Sequence, residues 1–293
     1  MSTPTQVQAN AAIDPRTAIG TVHLTVSDLG RSRSFYERVL GLSSRERDDG
    51  LALGVDGERP LIELRGDSSA PRLDRRATGL FHLAVLLPSR RDLAFALARL
   101  AETRWPLDGA SDHLVSEALY LSDPDGNGIE IYRDRPRGQW REVDGRLQMA
   151  TLPLDLRDIA SELPAPGAAQ VEPPAETRIG HVHLQVSELE RTEAFYSGVL
   201  GFDVMVRGYP GALFVAAGGY HHHIGLNTWH SAGSGPPSPG AVGLRYFEVE
   251  LPDGTGLDTV LERVTAAGLR AEAIDGGQLV RDPSGNGVLL RSR

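Results

Sequence analysis

The sequence contains an internal duplication that extends through both of its halves. Residues 19–42, IGTVHLTVSDLGRSRSFYERVLGL, align without a gap with residues 179–202, IGHVHLQVSELERTEAFYSGVLGF. Near the end of each half, DPDGNGIEIY at 123–132 corresponds to DPSGNGVLLR at 282–291. A duplication of this extent requires one fold to occur twice, so the chain of 293 residues is predicted to contain two similar domains.

Domain boundaries follow from the ends of the repeated segments and from local composition. Residues 1–16 are predicted to form a flexible tail, and residues 17–135 the N-terminal domain. Residues 136–177 are rich in Pro, Ala and charged residues and are predicted to be a linker, with a short helix around LDLRDIASEL. Residues 178–293 form the C-terminal domain in this prediction, and the long linker favours two self-contained halves.

Each half shows the same order of secondary-structure signals twice. VHLTV alternates with a period of two, as a half-buried strand does, and the following SDLGRSRSFYERVLG has helical spacing with Ser27 or Asp28 as the N-cap. The strand FHLAVLLP and the helix SRRDLAFALARLAE, capped by Ser89, restart the pattern, and short strands follow each helix. One helix per unit cannot build a doubly wound parallel sheet. The predicted class is therefore α+β, with four βαβββ units and curved mixed sheets.

Composition excludes several classes of function. The formal net charge of −9 argues against nucleic acid as a partner. All 30 basic residues are Arg and there is no Cys, which excludes Schiff-base and Walker lysines, cysteine nucleophiles and thiolate metal sites. No apolar run could span a membrane and the first residues lack the features of a signal peptide, so no membrane partner is expected and the predicted location is the cytoplasm. Any metal ion must therefore be held by His and carboxylate side chains.

Three side chains of the N-terminal half are candidate metal ligands. His23 and His82 project from the polar faces of two equivalent strands, and Glu130 projects likewise from the last strand of the second unit. If the sheets curl around one cavity, these three side chains converge there. Two imidazoles and one carboxylate leave the other positions of a divalent ion open, as expected of non-haem Fe(II) that binds a substrate and O₂ together. Mn, Ni and Zn are the alternative ions, and the alternative role for each His is a hydrogen-bonded structural one.

The C-terminal half has lost two of these three ligand types. Its equivalents by this alignment are His183, Tyr246 and Leu289, which predicts one working site and one degenerate copy. One metal ion per chain is expected.

The repeated units, the VHLxV and FYxxVLG segments and the DPDGNGIEIY ending resemble the vicinal oxygen chelate superfamily, which includes glyoxalase I, antibiotic-resistance proteins and extradiol ring-cleaving dioxygenases. ASDHLVSEALYLSDPDGNGIEIY and GGYHHHIGLNTW are similar to the two-domain catechol 2,3-dioxygenase-like proteins. The resemblance implies two tandem vicinal-oxygen-chelate domains and an Fe(II)-dependent extradiol dioxygenase whose partners are a small aromatic diol and O₂. It assigns His23, His82 and Glu130 as ligands, and His113 and Tyr120 as catalytic residues that supply a proton. The familiar extradiol enzymes keep their iron in the C-terminal half, and this sequence departs from them.

Several alternatives stay open at this point. Glu63 is placed like the fourth ligand of glyoxalase I, which would favour a Ni or Zn lyase or isomerase, and a small-molecule-binding resistance protein is the non-enzymatic alternative. His221, His222 and His223 resemble an extradiol strand whose His is an acid–base group, but a structural or interface role is preferred for them. Pairing of the second unit with the third would bring His183 to His82 and Glu130. A homo-oligomer is also allowed.

Overall fold

Four βαβββ units account for most of the computed structural model, which describes residues 12–55, 59–165 and 172–293. The first unit contains β1 (Ala18–Val26), α1 (Leu29–Phe35), β2 (Ser43–Arg47), β3 (Gly50–Gly54) and β4 (Ile62–Gly66). The second contains β5 (Gly79–Leu87), α2 (Arg90–Thr103), β6 (Gly109–Asp112), β7 (Ser116–Ser122) and β8 (Gly128–Asp134). The four-unit α+β architecture predicted from the sequence is confirmed.

A connecting segment and two further units complete the chain. The connection contains β9 (Glu142–Val143), β10 (Arg146–Leu147), β11 (Leu152–Pro153) and α3 (Leu156–Ala160). The third unit contains β12 (Arg178–Gln185), α4 (Leu189–Glu193), β13 (Asp203–Val206), β14 (Ala212–Ala216) and β15 (Ile224–Asn227). The fourth contains β16 (Gly243–Leu251), α5 (Gly254–Ala266), β17 (Glu272–Ile274), β18 (Gly277–Arg281) and β19 (Gly287–Ser292). Among the described residues, no helix is both long enough and apolar enough to cross a membrane.

Each helix begins shortly after the first strand of its unit. The side chains of Asp28, Ser89 and Asp253 each accept a hydrogen bond from a backbone N–H three residues later, which stabilises the first turn. The caps predicted at Asp28 and Ser89 are confirmed. The helix of the third unit starts after Glu188, whose side chain makes no capping hydrogen bond.

The units pair across the two halves of the chain. The first sheet has the order β17-β18-β19-β16-β1-β4-β3-β2 and combines the fourth unit with the first. The second has the order β11-β6-β7-β8-β5-β12-β15-β14-β13 and combines the second unit with the third. The junctions are antiparallel pairs, β1 with β16 and β5 with β12. The expectation of two self-contained halves is therefore wrong, and the linker did not decide the pairing because the entropy of loop closure rises only slowly with length.

One hydrophobic core joins the two sheets through the helix-facing sides of their strands. Val22, Leu83, Val182 and Phe247 occupy the same position in the first strands of the four units, and each is fully buried. Because side chains alternate along a strand, their neighbours point to the other face of each sheet. That other face of the second sheet carries the candidate site.

Buried hydrogen bonds connect the two units within each half. The Tyr36 hydroxyl donates to Asp123 of the second unit at 3.2 Å, and the Tyr196 hydroxyl donates to Asp282 of the fourth unit at 3.1 Å. These tyrosines belong to the repeated FY segments, and the aspartates to the repeated DP turns. Sheet pairing across halves and these bonds within halves interlock all four units.

The segment predicted as a linker is part of the folded structure. Its helix α3 lies within the predicted LDLRDIASEL, and its strand β11 pairs with β6 at the edge of the second sheet. Of the predicted tail, residues 1–11 lie outside the described residues. Ile13 is buried, and its N–H donates to the Gly201 carbonyl at 2.8 Å.

Candidate metal centre

Three buried side chains meet on the second sheet. His82 Nε2 lies 3.0 Å from Glu130 Oε2, His181 Nε2 lies 3.2 Å from the same oxygen, and the two nitrogens are 3.4 Å apart. In an octahedral ion with ligand bonds of about 2.1 Å, adjacent ligand atoms are about 3.0 Å apart. The triangle is close to one face of such an octahedron. Among the described residues, these three form the one group of His, Cys, Asp or Glu side chains close enough to hold an ion.

Three neighbouring strands position this triangle. The central strand, β5, carries His82. On one side it pairs in parallel with β8, which carries Glu130, and on the other side it pairs antiparallel with β12, which carries His181. Each of the three is less than 10% exposed, at 6%, 3% and 1% for His82, Glu130 and His181. Burial of these groups without an ion or a hydrogen-bonding partner would be unfavourable. His181 Nδ1 has no hydrogen-bond partner among the described residues, and Nε2 is the nitrogen that faces Glu130 and His82.

Protonation states at the triangle suit a divalent cation. Burial lowers the pKa of His181 to about 4, which leaves its imidazole neutral at neutral pH. Burial alone would raise the pKa of Glu130, but the adjacent His181 and His82 outweigh it and hold this pKa well below its usual range. Metal binding requires deprotonated ligands, and a neutral imidazole with an ionised carboxylate meets that requirement. The residues therefore fit a divalent metal ion with two nitrogen ligands and one oxygen ligand.

The structure corrects the ligand set predicted from the sequence at one position. His82 and Glu130 come together as expected, but His23 lies on β1 in the first sheet and does not join them. The reason is a slip of two residues in the alignment. His82 and His181 each lie seven residues before the residue that caps the next helix, Ser89 or Glu188, whereas His23 lies five residues before Asp28. The true equivalents of His82 are therefore His181, Thr21 and Tyr246.

His23 has a different environment in the first sheet. Its Nε2 is 3.2 Å from Glu248 and its Nδ1 is 3.3 Å from Glu63, while the ring of Tyr246 stacks on it at 4.2 Å. Burial alone would lower the pKa of His23, but the two carboxylates outweigh it and the pKa is raised. The ring lies between two carboxylates that sit on its opposite nitrogens, so this cluster does not form a converging set of ligands. Within the described residues the first sheet lacks a triangle of this kind, and the three side chains of the candidate centre come from both halves of the chain.

A fourth carboxylate ligand of the glyoxalase I type is absent from the triangle. Glu63, the alternative ligand considered from the sequence, lies on β4 opposite His23, again in the first sheet. In the second sheet the equivalent position, opposite His183, is Gly225. A Cβ atom at Gly225 would lie 2.9 Å from the ring of His183, so no larger side chain fits there without a shift. Glu63, kept open from the sequence as an alternative fourth ligand, therefore does not reach the triangle.

A cavity of about 860 Å³ opens onto the triangle. His82 and Glu130 lie in its wall, and so do the aromatic rings of Phe81, Phe214 and Trp229. The connecting segment closes one side through Met149, Ala150 and Thr151. His183, the alternative ligand considered from the sequence, also lines this cavity, and its ring centre lies 4.9 Å from that of His82. Its Nε2 has no hydrogen-bond partner in the described part of the chain. It is beside the triangle rather than part of it.

His113 and Tyr120 lie together on one side of the cavity. His113 Nδ1 is 2.7 Å from the Ala150 carbonyl, which can only accept, so Nδ1 carries a hydrogen. A neutral imidazole then has an unprotonated Nε2, which lies 2.6 Å from the Tyr120 hydroxyl and accepts its hydrogen bond. Burial and the nearby Glu130 raise the pKa of Tyr120 well above its usual range, so the hydroxyl keeps its proton. Both predicted residues thus line the cavity as a hydrogen-bonded pair.

The histidine run contributes to the opposite side of the same site. His222 lines the cavity, and its ring lies 4.1 Å from that of His181. His221 is fully buried behind it, and His223 accepts a hydrogen bond from the Ala217 N–H at 3.1 Å. The preference for a structural role rested on the absence of an intact triad in the C-terminal half, and pairing across the halves removes that reason for His222.

His181 is the ligand that sequence reasoning missed. The signal that could have found it was the distance to the start of the next helix, because α2 and α4 begin at positions fixed by their caps or by the change of pattern. The HVH segment offers two histidines two residues apart, and alternation places both on one face. Alternation therefore could not choose between His181 and His183.

Comparison with known proteins agrees with this architecture. Residues 18–131 and 178–290 match the model of the Glyoxalase/Bleomycin resistance protein/Dioxygenase superfamily. A catechol-2,3-dioxygenase of Bacillus subtilis (strain 168) is 47% identical over 277 residues, which cover 93% of this chain and 96% of the relative.

Solved structures share the fold at low sequence identity. A putative dioxygenase from Bacillus subtilis subsp. subtilis str. 168 has a TM-score of 0.64 at 15% identity, over 96% of this chain and 86% of that one. Glyoxalase I from Zea mays has a TM-score of 0.56 at 16% identity, over 94% of this chain and 92% of that one. At these identities the likeness concerns the fold alone. The fold is shared with a putative dioxygenase and with a glyoxalase I, so it does not distinguish the two reactions.

Proposed function

Because the chain belongs to the Glyoxalase/Bleomycin resistance protein/Dioxygenase superfamily, we propose that it is an Fe(II)-dependent extradiol dioxygenase that opens the ring of a catechol-type aromatic diol. The observation that carries this proposal is a centre with three protein ligands and a glycine at the position of a fourth. A relative named catechol-2,3-dioxygenase, at 47% identity over nearly the whole chain, supports the same reaction class. A buried metal-binding triangle has no evident use in a protein that only sequesters a small molecule, which disfavours the resistance-protein alternative.

His82, Glu130 and His181 would hold the ion in the proposed enzyme. Fe(II), when bound, supplies the electron-transfer chemistry by which a diol and O₂ react. Three ligands leave the remaining positions of the ion available to small molecules, whereas a fourth carboxylate would occupy one of them. The donor set alone also suits Mn, Ni or Zn, so iron is the choice that the proposed reaction makes.

The cavity walls suit a flat aromatic substrate. Phe81, Phe214 and Trp229 provide apolar faces against which a ring can pack, while the polar groups lie near the triangle. His222 stands on one side of the triangle as a neutral imidazole, because burial lowers its pKa well below the usual range, and it can accept a hydrogen bond from a diol hydroxyl. Tyr120 stands on the other side as a hydroxyl that keeps its proton, and it can donate a hydrogen bond or a proton to the substrate once its hydrogen bond to His113 is released. The proposal takes a small aromatic diol and O₂ as substrates and keeps the cytoplasm as the predicted location.

Oxygen consumption tests the proposed reaction. Metal-free protein reconstituted with Fe(II) under anaerobic conditions, then mixed with catechol in air, is expected to consume O₂ and to develop the yellow absorbance of a ring-opened semialdehyde. Protein loaded with Zn(II) should do neither. Glu63→Gln is a matched variant that should keep the activity, because Glu63 lies in the other sheet.

A second arm of the same experiment addresses the glyoxalase alternative. Zn(II) or Ni(II) protein is mixed with a thiol-derived hemithioacetal, and product formation is followed. Turnover of the hemithioacetal, with no O₂ uptake by the Fe(II) protein with any diol tested, would contradict the dioxygenase proposal.

A further inference from the structure

A chain of hydrogen bonds leads away from the cavity behind His222. His222 Nδ1 lies 2.8 Å from His221 Nδ1, and His221 Nε2 lies 2.8 Å from Asp134 Oδ1. His221 is fully buried and His222 is 7% exposed, on the cavity side. Asp134 is the last residue of β8, the strand that also carries Glu130. The chain thus connects the wall of the site to the end of a ligand-bearing strand.

The direction of each hydrogen bond follows from the acceptor at the far end. An ionised carboxylate can only accept, so His221 Nε2 must carry the hydrogen that it donates to Asp134. A neutral imidazole has one N–H, so His221 Nδ1 is an acceptor, and the bond between the rings requires a hydrogen on His222 Nδ1. The remaining nitrogen of His222, Nε2, then carries a lone pair. Nε2 has no hydrogen-bond partner among the described residues, and the ring lines the cavity.

A second set of bonds holds the acceptor in place. The Tyr220 hydroxyl donates to Asp134 at 2.9 Å, and the Tyr132 and Tyr220 hydroxyls are 2.8 Å apart, so Tyr132 donates to Tyr220. The chain from His222 through His221 and the chain from Tyr132 through Tyr220 therefore both end on the Asp134 carboxylate. The Tyr132 and Tyr220 hydroxyls use their hydrogens in these bonds, so neither can donate to His221 Nε2. The ring of Trp140 lies edge-on to that of His221, with the ring centres 5.5 Å apart.

We propose that His221 and Asp134 are positioning residues that fix His222 in its Nδ1–H tautomer and so direct an unprotonated Nε2 into the cavity. The inference rests on the proposed function and deepens it, because it places an unprotonated nitrogen of His222 where a diol hydroxyl can donate a hydrogen bond to it. A lone His222 would instead divide its population between two tautomers, of which one cannot accept.

Nitrogen chemical shifts of the histidine rings test this assignment directly. Full-length protein labelled with ¹⁵N-histidine and loaded with Zn(II), which is diamagnetic, is examined by long-range ¹H–¹⁵N correlation at pH 7.5. His222 is expected as the Nδ1–H tautomer and His221 as the Nε2–H tautomer, with signals assigned by their loss in His222→Asn and His221→Asn. A His222 ring protonated at Nε2, or a His221 ring protonated at both nitrogens, would overturn the inference.

Replacement of the carboxylate tests the cause. In Asp134→Asn the side-chain amide can donate to His221 Nε2, which reverses the chain and moves His222 toward the Nε2–H tautomer. Tyr220→Phe is the matched control, because it removes the other donor to Asp134 and should leave the His222 tautomer unchanged. An Asp134→Asn protein with the wild-type His222 tautomer would overturn the role of Asp134, and the wild-type spectrum decides the assignment even if the variant does not fold.

Kinetics separate this inference from the proposed function. With Fe(II) and catechol, Asp134→Asn is expected to lower kcat about 10–100-fold while iron content and KM change little. If wild-type protein shows the expected tautomers but no diol consumes O₂, the proposed function fails and the tautomer assignment stands. If diols are cleaved but Asp134→Asn retains full kcat, the positioning role fails alone.

Discussion

One residue position of the repeat decides whether a sheet can hold a metal ion. At the position seven residues before each helix cap the four units carry, in chain order, Thr21, His82, His181 and Tyr246. The two histidines are paired in one sheet, and Thr21 and Tyr246 share the other. The two histidines therefore lie in different halves of the chain, and only the pairing of units across the halves brings them together.

Residue-level prediction succeeded where side-chain alternation was enough. It placed His82 and Glu130 at the site because each lies on the polar face of a strand, whereas His113 and Tyr120 came from the family resemblance. It chose His23 wrongly because a slip of two residues keeps a side chain on the same face, so the error leaves the pattern unchanged. The distance to the next helix cap separates the two registers, since it is seven residues for His82 and His181 but five for His23.

Removal of the Tyr120 hydroxyl tests the role of the hydrogen-bonded pair that it forms with His113. Tyr120→Phe is expected to lower kcat of the Fe(II) protein about 10²-fold, because the protonated hydroxyl beside Glu130 is lost. Turnover with catechol per bound iron is the measurement. Tyr209→Phe removes another hydroxyl of the cavity wall, bonded to Thr151, and should have a smaller effect. Equal turnover of Tyr120→Phe and wild type would contradict a direct role for this residue.

At the scale of elements, the two sheets use equivalent strands for different purposes. In the second sheet β5, β8 and β12 present metal ligands, whereas in the first sheet β1, β4 and β16 present His23 between Glu63 and Glu248. Burial alone would raise the pKa of Glu248, but His23 and Arg291 outweigh it and the pKa is lowered, as the pKa of Glu63 is by its contact with His23. The first sheet thus contains a cluster in which His23 lies between two carboxylates.

This cluster predicts a pH dependence of stability. The pKa of His23 is raised in the folded protein, so its contribution is fully present below the unfolded value of about 6.5 and is lost as pH rises through the folded pKa. His23→Gln is therefore expected to lower the free energy of unfolding more at pH 6 than at pH 9, measured by urea denaturation. The difference in unfolding free energy between wild type and variant removes the contributions of the other titrating groups. In a Glu248→Gln background the pH dependence of the His23 substitution should shrink, and an equal loss at both pH values in wild type would contradict the assignment.

At the scale of the whole molecule, the duplication predicted the units but not their partners. The internal repeat, the helix caps and the α+β class could be read from the sequence because they depend on local pattern. The pairing of β1 with β16 and of β5 with β12 depends on contacts between residues far apart in the chain, for which local pattern gives no information. The same limit explains why the sequence predicts the connecting segment as a linker with a short helix, and not as a wall of the cavity.

Separation of the halves tests this interlocked arrangement. A fragment of residues 12–165 contains His82 and Glu130, and a fragment of residues 172–293 contains His181. Each fragment alone leaves strand edges unpaired and lacks at least one ligand, so neither is expected to bind metal stoichiometrically. The two fragments expressed together should bind one ion per pair, measured by elemental analysis after gel filtration. Stoichiometric binding by the first fragment alone would contradict a centre shared between the halves.

The metal content of two histidine variants tests the central claim most directly. Wild-type protein, His181→Ala and His23→Ala are each reconstituted with Fe(II) under anaerobic conditions, freed of unbound metal, and analysed for iron per chain. The account predicts one ion per chain in wild type and in His23→Ala, and almost none in His181→Ala, because the triangle of His82, Glu130 and His181 loses a ligand. Loss of iron in His23→Ala with retention in His181→Ala, or two ions per wild-type chain, would contradict it.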